Sequence, residues 1–179
     1  MLPEPLIELA NERELLIVMH LGKQLGVADV ENVRDLLYLA ERYPQVRWDM
    51  ARSSIAWPLE RVIDQIKDVP NFWYDISSVT HADCLTLAFR NLPLDRIMYG
   101  SDLPCDLQRG NMLSFGQGWE QLGEEDIAAL NIKHCDPRPT YTVYETLRAL
   151  RRAMKFEDFG PHEIDAVFYQ NAVKFVSGK

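Results

Sequence analysis

Four short apolar or aromatic runs recur along the chain, and their spacing constrains the fold more than any single residue does. They are Leu15-Leu16-Ile17-Val18-Met19, Val46-Arg47-Trp48-Asp49-Met50, Phe72-Trp73-Tyr74-Asp75-Ile76 and Arg96-Ile97-Met98-Tyr99. Their first residues, 15, 46, 72 and 96, are 24 to 31 positions apart, which is room for one strand, one helix and two short connections each time. The first run is apolar throughout, the pattern of a strand covered on both faces of a parallel sheet.

Helical patterns fill the gaps. Val33, Leu36, Leu37, Leu39 and Ala40 form an apolar stripe over residues 31–43, and Pro44 stops it. Pro58 opens a second pattern through Leu59, Val62, Ile63 and Ile66, and a third covers residues 82–91 before Pro93. Residues 142–156 and 161–175 read as two closing helices. Between them and the fourth strand, residues 103–140 read as one long irregular region rich in Gly and Pro, with a short helix at 124–131. The expectation is a single α/β domain over 1–179, with about four parallel strands and flanking helices.

Composition limits the partners. Of 179 residues, 47% are hydrophobic and 26% charged, the balance of a globular chain, and the formal net charge is −8. An acidic chain whose one dense basic run is Arg148, Arg151 and Arg152 at helical spacing is not built to neutralise phosphates, so nucleic acid is not expected as a partner. No apolar stretch approaches the ~20 residues that span a bilayer, and Pro3, Glu4, Pro5 and Glu8 interrupt the start where a signal peptide would be apolar. Cys84, Cys105 and Cys135 make neither a disulfide framework nor a CxxC pair, and read as reduced thiols of a cytoplasmic protein.

Two polar residues stand where strands end. His20 directly follows the first run, and Asp102 follows Arg96-Ile97-Met98-Tyr99-Gly100-Ser101. In parallel α/β folds the carboxyl ends of the strands face the ligand. An imidazole and a carboxylate there can bind a divalent metal, act as base and acid, or simply hydrogen-bond a neighbouring loop. Arg52 and Arg109 are candidate partners for a substrate carboxylate, and Phe115 and Trp119 are candidate lid or pocket residues of the long loop. His81, His134 and His162 read as solvated residues, since His134-Cys135-Asp136 are too close in sequence to converge on one ion.

The segment Arg96-Ile97-Met98-Tyr99-Gly100-Ser101-Asp102-Leu103-Pro104 resembles the strand-eight signature of the amidohydrolase superfamily, in particular the branch containing aminocarboxymuconate-semialdehyde decarboxylase. Val18-Met19-His20, Glu41-Arg42-Tyr43-Pro44, Asn71-Phe72-Trp73-Tyr74-Asp75-Ile76-Ser77 and Phe168-Tyr169-Gln170-Asn171-Ala172 are similar to that branch in the same order. The resemblance implies the last four strands of a (β/α)₈ TIM barrel, with a divalent metal, zinc by expectation, held by His20 and Asp102. It also implies that Asp102 takes a proton from the attacking water, or orients the substrate in a decarboxylation, with a small carbonyl or carboxylate compound as substrate. Two departures count against an intact centre: the chain has no His-x-His pair, and no histidine follows Val46-Arg47-Trp48. Sequence reasoning therefore yields two expectations, an impaired metal-dependent hydrolase or decarboxylase, and a non-catalytic structural or interaction protein in which two copies close one barrel as a homodimer.

Overall fold

The computed structural model describes residues 2–21, 25–51, 57–115 and 118–178. Its centre is a four-stranded parallel sheet in the order β1-β2-β3-β4, with β1 Leu16–His20, β2 Arg47–Ala51, β3 Phe72–Asp75 and β4 Ile97–Met98. Helices α1 (Glu4–Glu12), α2 (Val30–Arg42), α3 (Ile63–Ile66) and α4 (Ala82–Asn91) alternate with the strands, and α6 (Thr142–Phe156) packs beside α4. Each αβ repeat predicted from the spacing is present, in the order and parallel sense of a partial TIM barrel.

Side-chain alternation divides the sheet into two unlike faces. In register, Ile17, Trp48 and Phe72 lie on one face, as do Met19, Met50, Tyr74 and Ile97. This face carries the helices: Trp48, Phe72, Tyr74 and Ile97 are fully buried, and the Tyr74 hydroxyl donates to the Ile66 carbonyl at 2.9 Å. The other face aligns Val18 with Asp49 and Trp73, and Asp75 with Met98. Val18 is 57% exposed there, so the first run is covered on one face only. The continuous apolar pattern misleads because β1 is an edge strand.

The two edges of the sheet differ. Along β4 runs the closing segment, in which α7 (Pro161–Asp165), a π-helical turn (Ala166–Gln170) and α8 (Asn171–Ser177) follow without a break. The wide turn falls where the Val167 carbonyl accepts the Tyr99 N–H at 2.9 Å. Just below, the buried Asn171 amide donates to the Leu94 and Ile97 carbonyls at 2.7 and 2.8 Å. The segment then reaches the open face, where Phe175 packs on Trp73 with ring centroids 5.3 Å apart and its carbonyl accepts Arg47 Nε at 2.8 Å. At β1, by contrast, the odd-numbered residues serve β2, as when Leu15 O accepts Arg47 N, leaving Leu16, Val18 and His20 to turn their backbone groups outward.

The region predicted to be irregular contains a β-hairpin. Strands β5 (Gly110–Phe115) and β6 (Gly118–Gly123) pair antiparallel, and α5 (Glu124–Ala129) follows. Gly110, Gly118 and Gly123 hide the alternation because they stand at the strand ends rather than in one loop. The hairpin is anchored near the carboxyl end of β3, where Thr80 Oγ1 accepts the Met112 N–H at 3.1 Å. The second helical pattern also shortens, to a 3₁₀ turn (Trp57–Arg61) and the single turn of α3. Among the described residues no helix is long and apolar enough to cross a membrane.

If the closing segment is held as described, Asn171→Ala removes two donors from buried carbonyls and costs about 2–3 kcal/mol. For a chain of this length that lowers Tm by about 5–10 °C. Val173→Ala, on the same helix but exposed, should change Tm by under about 2 °C in the same calorimetric scan.

Candidate functional site

The carboxyl ends of the strands carry an acidic rim. His20 closes β1 and is exposed, Asp75 closes β3, and Asp102 lies four residues beyond the end of β4. Asp102 takes a positive φ of 46°, and Ser78, three residues beyond β3, one of 60°. These two conformations, unfavourable for residues with a Cβ, meet directly. Ser78 Oγ lies 3.2 Å from Asp102 Oδ2 and 2.8 Å from Asp106 Oδ1. Ser78 and Asp106 are buried, while Asp102 is half-buried at the rim. Ser78 is thus the group shared by the two carboxylates, contacts that the sequence did not reveal because 24 and 28 residues separate the partners, and the Asp106 N–H donates to the Asp102 carbonyl at 3.1 Å.

Inside the rim Asp49 lies beside Asp75. Asp49 projects from the middle of β2 and accepts the backbone N–H of Asp75, while its Oδ1 has no hydrogen-bond partner. Asp75 Oδ1 accepts the Ser77 N–H at 2.7 Å, and its other oxygen lies against Gly100 so closely that a Cβ there would collide with it. This close approach is a physical reason for glycine in the Gly100-Ser101-Asp102 element. Burial foremost, and the Asp75 charge second, push the Asp49 carboxyl up to about 7. Asp49 was not singled out in the sequence; the signal available was a carboxylate inside an otherwise apolar strand pattern.

The predicted site residues are spread along the rim. His20 closes β1 and Asp102 follows β4, with β2 and β3 between them. Among the described residues no three His, Cys, Asp or Glu side chains are grouped to hold a metal. The donor set of one chain therefore does not fit the catalytic metal that the sequence resemblance implies. Arg52 lies outside the described residues; β2 ends at Ala51, so Arg52 comes directly after it. Trp119 belongs to β6, opposite Ser114 next to the hairpin turn.

Arg109 is engaged locally, donating to the Pro139 carbonyl at 3.3 Å with its guanidinium 5.1 Å from the Tyr141 ring centre. It is tied to its own loop rather than turned to the rim. His81 is the N-cap residue of α4, and His134 and His162 are exposed.

The pH dependence that Asp49 imposes has a definite sign. The folded chain keeps a proton up to about pH 7 that the unfolded chain releases near ~3.9, so stability falls as pH rises through that window and stays lower above it. Asp49→Asn removes this dependence and retains an acceptor for the Asp75 N–H. Thermal scans should show the variant more stable than the parent at pH 8, by about 1–3 kcal/mol, with the gap closing towards pH 4.

A comparison with curated proteins gives no match. Residues 1–177 match the family described as Amidohydrolase, which takes in all four strands, the Gly100-Ser101-Asp102 element and the closing Asn171 segment. The chain belongs to the amidohydrolase family.

Proposed function

We propose that this chain carries the Asp102 side of an amidohydrolase-type site, for hydrolysis or non-oxidative decarboxylation of a small carbonyl or carboxylate substrate, and that one copy alone is catalytically impaired. The observation that supports the reading is the placement of Asp102. A carboxylate fixed by Ser78 at the end of β4, in a conformation costing of order 1–3 kcal/mol, is held where such a fold meets its substrate.

In this chemistry a divalent metal, zinc being the expected one, supplies an acidified water. The described donor set does not gather one, so no step is assigned to it. Asp102 accepts the proton of the water that adds to the carbonyl carbon, or orients the carboxylate that leaves as carbon dioxide. Arg52, directly after β2, pairs with the substrate carboxylate, and Trp119 on the hairpin closes over the apolar part. The impairment follows from the lack, among the described residues, of any group of three ligands that could hold a metal. A second reading, a non-catalytic interaction protein, is supported by the open edge of β1.

Elemental analysis of protein purified without chelator separates these readings. The impaired-enzyme reading expects less than about 0.1 metal per chain and weak zinc uptake, with affinity about tenfold lower in Asp102→Ala. It also expects slow turnover of small amide, ester or carboxylate substrates that Asp102→Asn abolishes and Arg52→Met weakens through KM. Stoichiometric zinc that resists both His20→Ala and Asp102→Ala would place the metal elsewhere and overturn the assignment. Turnover indifferent to Asp102→Asn would do the same for its role.

A further inference from the structure

The unlike edges of the sheet bear on how two copies of the chain can meet. A ring closed by β1 of one copy against β4 of the other requires the free edge of β4, and that edge is taken by the chain's own closing segment through Tyr99, Val167 and Asn171. We propose instead that two copies pair through β1 alone, antiparallel and two-fold related about Val18, to form one continuous eight-stranded sheet.

Strand β1 itself lacks the charges, prolines and bulges that keep an edge from pairing. Leu16–His20 contains no Lys, Arg, Asp, Glu or Pro, and no bulge interrupts its register with β2. Leu16, Val18 and His20 make no backbone hydrogen bond to another described residue on that side. Because the edge is continuous with itself under a two-fold, the same strand serves as donor and acceptor in both copies.

Helix α1 adds a second, independent feature. Its residues fall into three stripes at helical spacing. Ile7 and Ala10 are buried against the sheet; Glu8, Asn11 and Glu12 line a polar groove with Arg42. Leu2, Leu6 and Leu9 form a third, exposed and apolar stripe. Leu2 also lines, with Val18 and His20, a groove of about 370 Å³ along β1, so the stripe begins where it meets the edge. Leu15 and Val18 extend it, and these five side chains are 41% to 57% exposed. At the ~57% apolar share of ordinary interfaces, the roughly 900 Å² that five such residues expose over two copies corresponds to a contact of ~1,600 Å², the standard size for a specific complex.

Light scattering on the full chain from about 1 to 100 µM tests the pairing. The expected mass is twice the 20.7 kDa of one chain, halved in Val18→Lys and in Leu6→Glu with far-ultraviolet circular dichroism unchanged. Val176→Lys, on an apolar position at the far end, should leave the dimer intact. In a Cys105→Ser, Cys135→Ser background, Val18→Cys should be joined into a dimer by a short bis-maleimide, which checks the two-fold even if a charged variant fails to fold. A monomer across the whole concentration range overturns the proposal. So does a dimer that Val176→Lys dissociates and Val18→Lys does not, or a dimer in which Val18→Cys fails to cross-link. None of these outcomes depends on whether Asp102 acts on a substrate.

Discussion

The amide of Asn171 governs the architecture more than any other single group. A four-stranded parallel sheet has two edges, each with a row of backbone groups that must be satisfied. By donating to two carbonyls at the foot of β4, Asn171 fastens the closing segment along one edge. The Val167–Tyr99 bond and the Arg47–Phe175 bond extend that attachment upward and inward. What remains open, the edge of β1 and the outer part of the open face around Val18, is what this closure does not reach.

That closure also explains the contrast between the two sides of the sheet. The helix-covered face is apolar and dry. The open face carries Arg47, Asp49 and Asp75 among Val18, Trp73 and Met98, and only part of it is covered by Phe175. Polar groups on a sheet face are tolerated where hydrogen bonds or solvent satisfy them. Arg47 has the Phe175 carbonyl, and Asp75 has Ser77. Asp49 is buried beside a like charge, and burial first and that charge second push its carboxyl up to about 7.

Much of the fold was legible because it rests on local periodicity. The strand spacing and the helical stripes are short-range signals, and the strand boundaries read from them differ from the observed ones by no more than one residue. The hairpin was not legible, since its two strands are short, half polar and punctuated by glycine, and its anchor at Thr80 is 32 residues away from Met112. The site was legible only in its most exposed parts. His20 and Asp102 were visible as polar residues at strand ends. Ser78 and Asp106, which hold Asp102, and Asp49, which lies inside a strand, are fixed by contacts between elements distant in sequence.

The decisive property of the site, the distance between His20 and Asp102, belongs to topology and not to composition. With His20 after the first strand and Asp102 after the last, the curvature of the sheet decides how near the two come, however suitable each is as a ligand. A closed barrel overcomes that separation by curling the sheet until opposite strand ends share one mouth. Here the closing segment occupies the edge through which such curling would be completed. Asp102 meets the Ser78 hydroxyl, which also reaches Asp106, and His20 lines the groove beside the edge of β1.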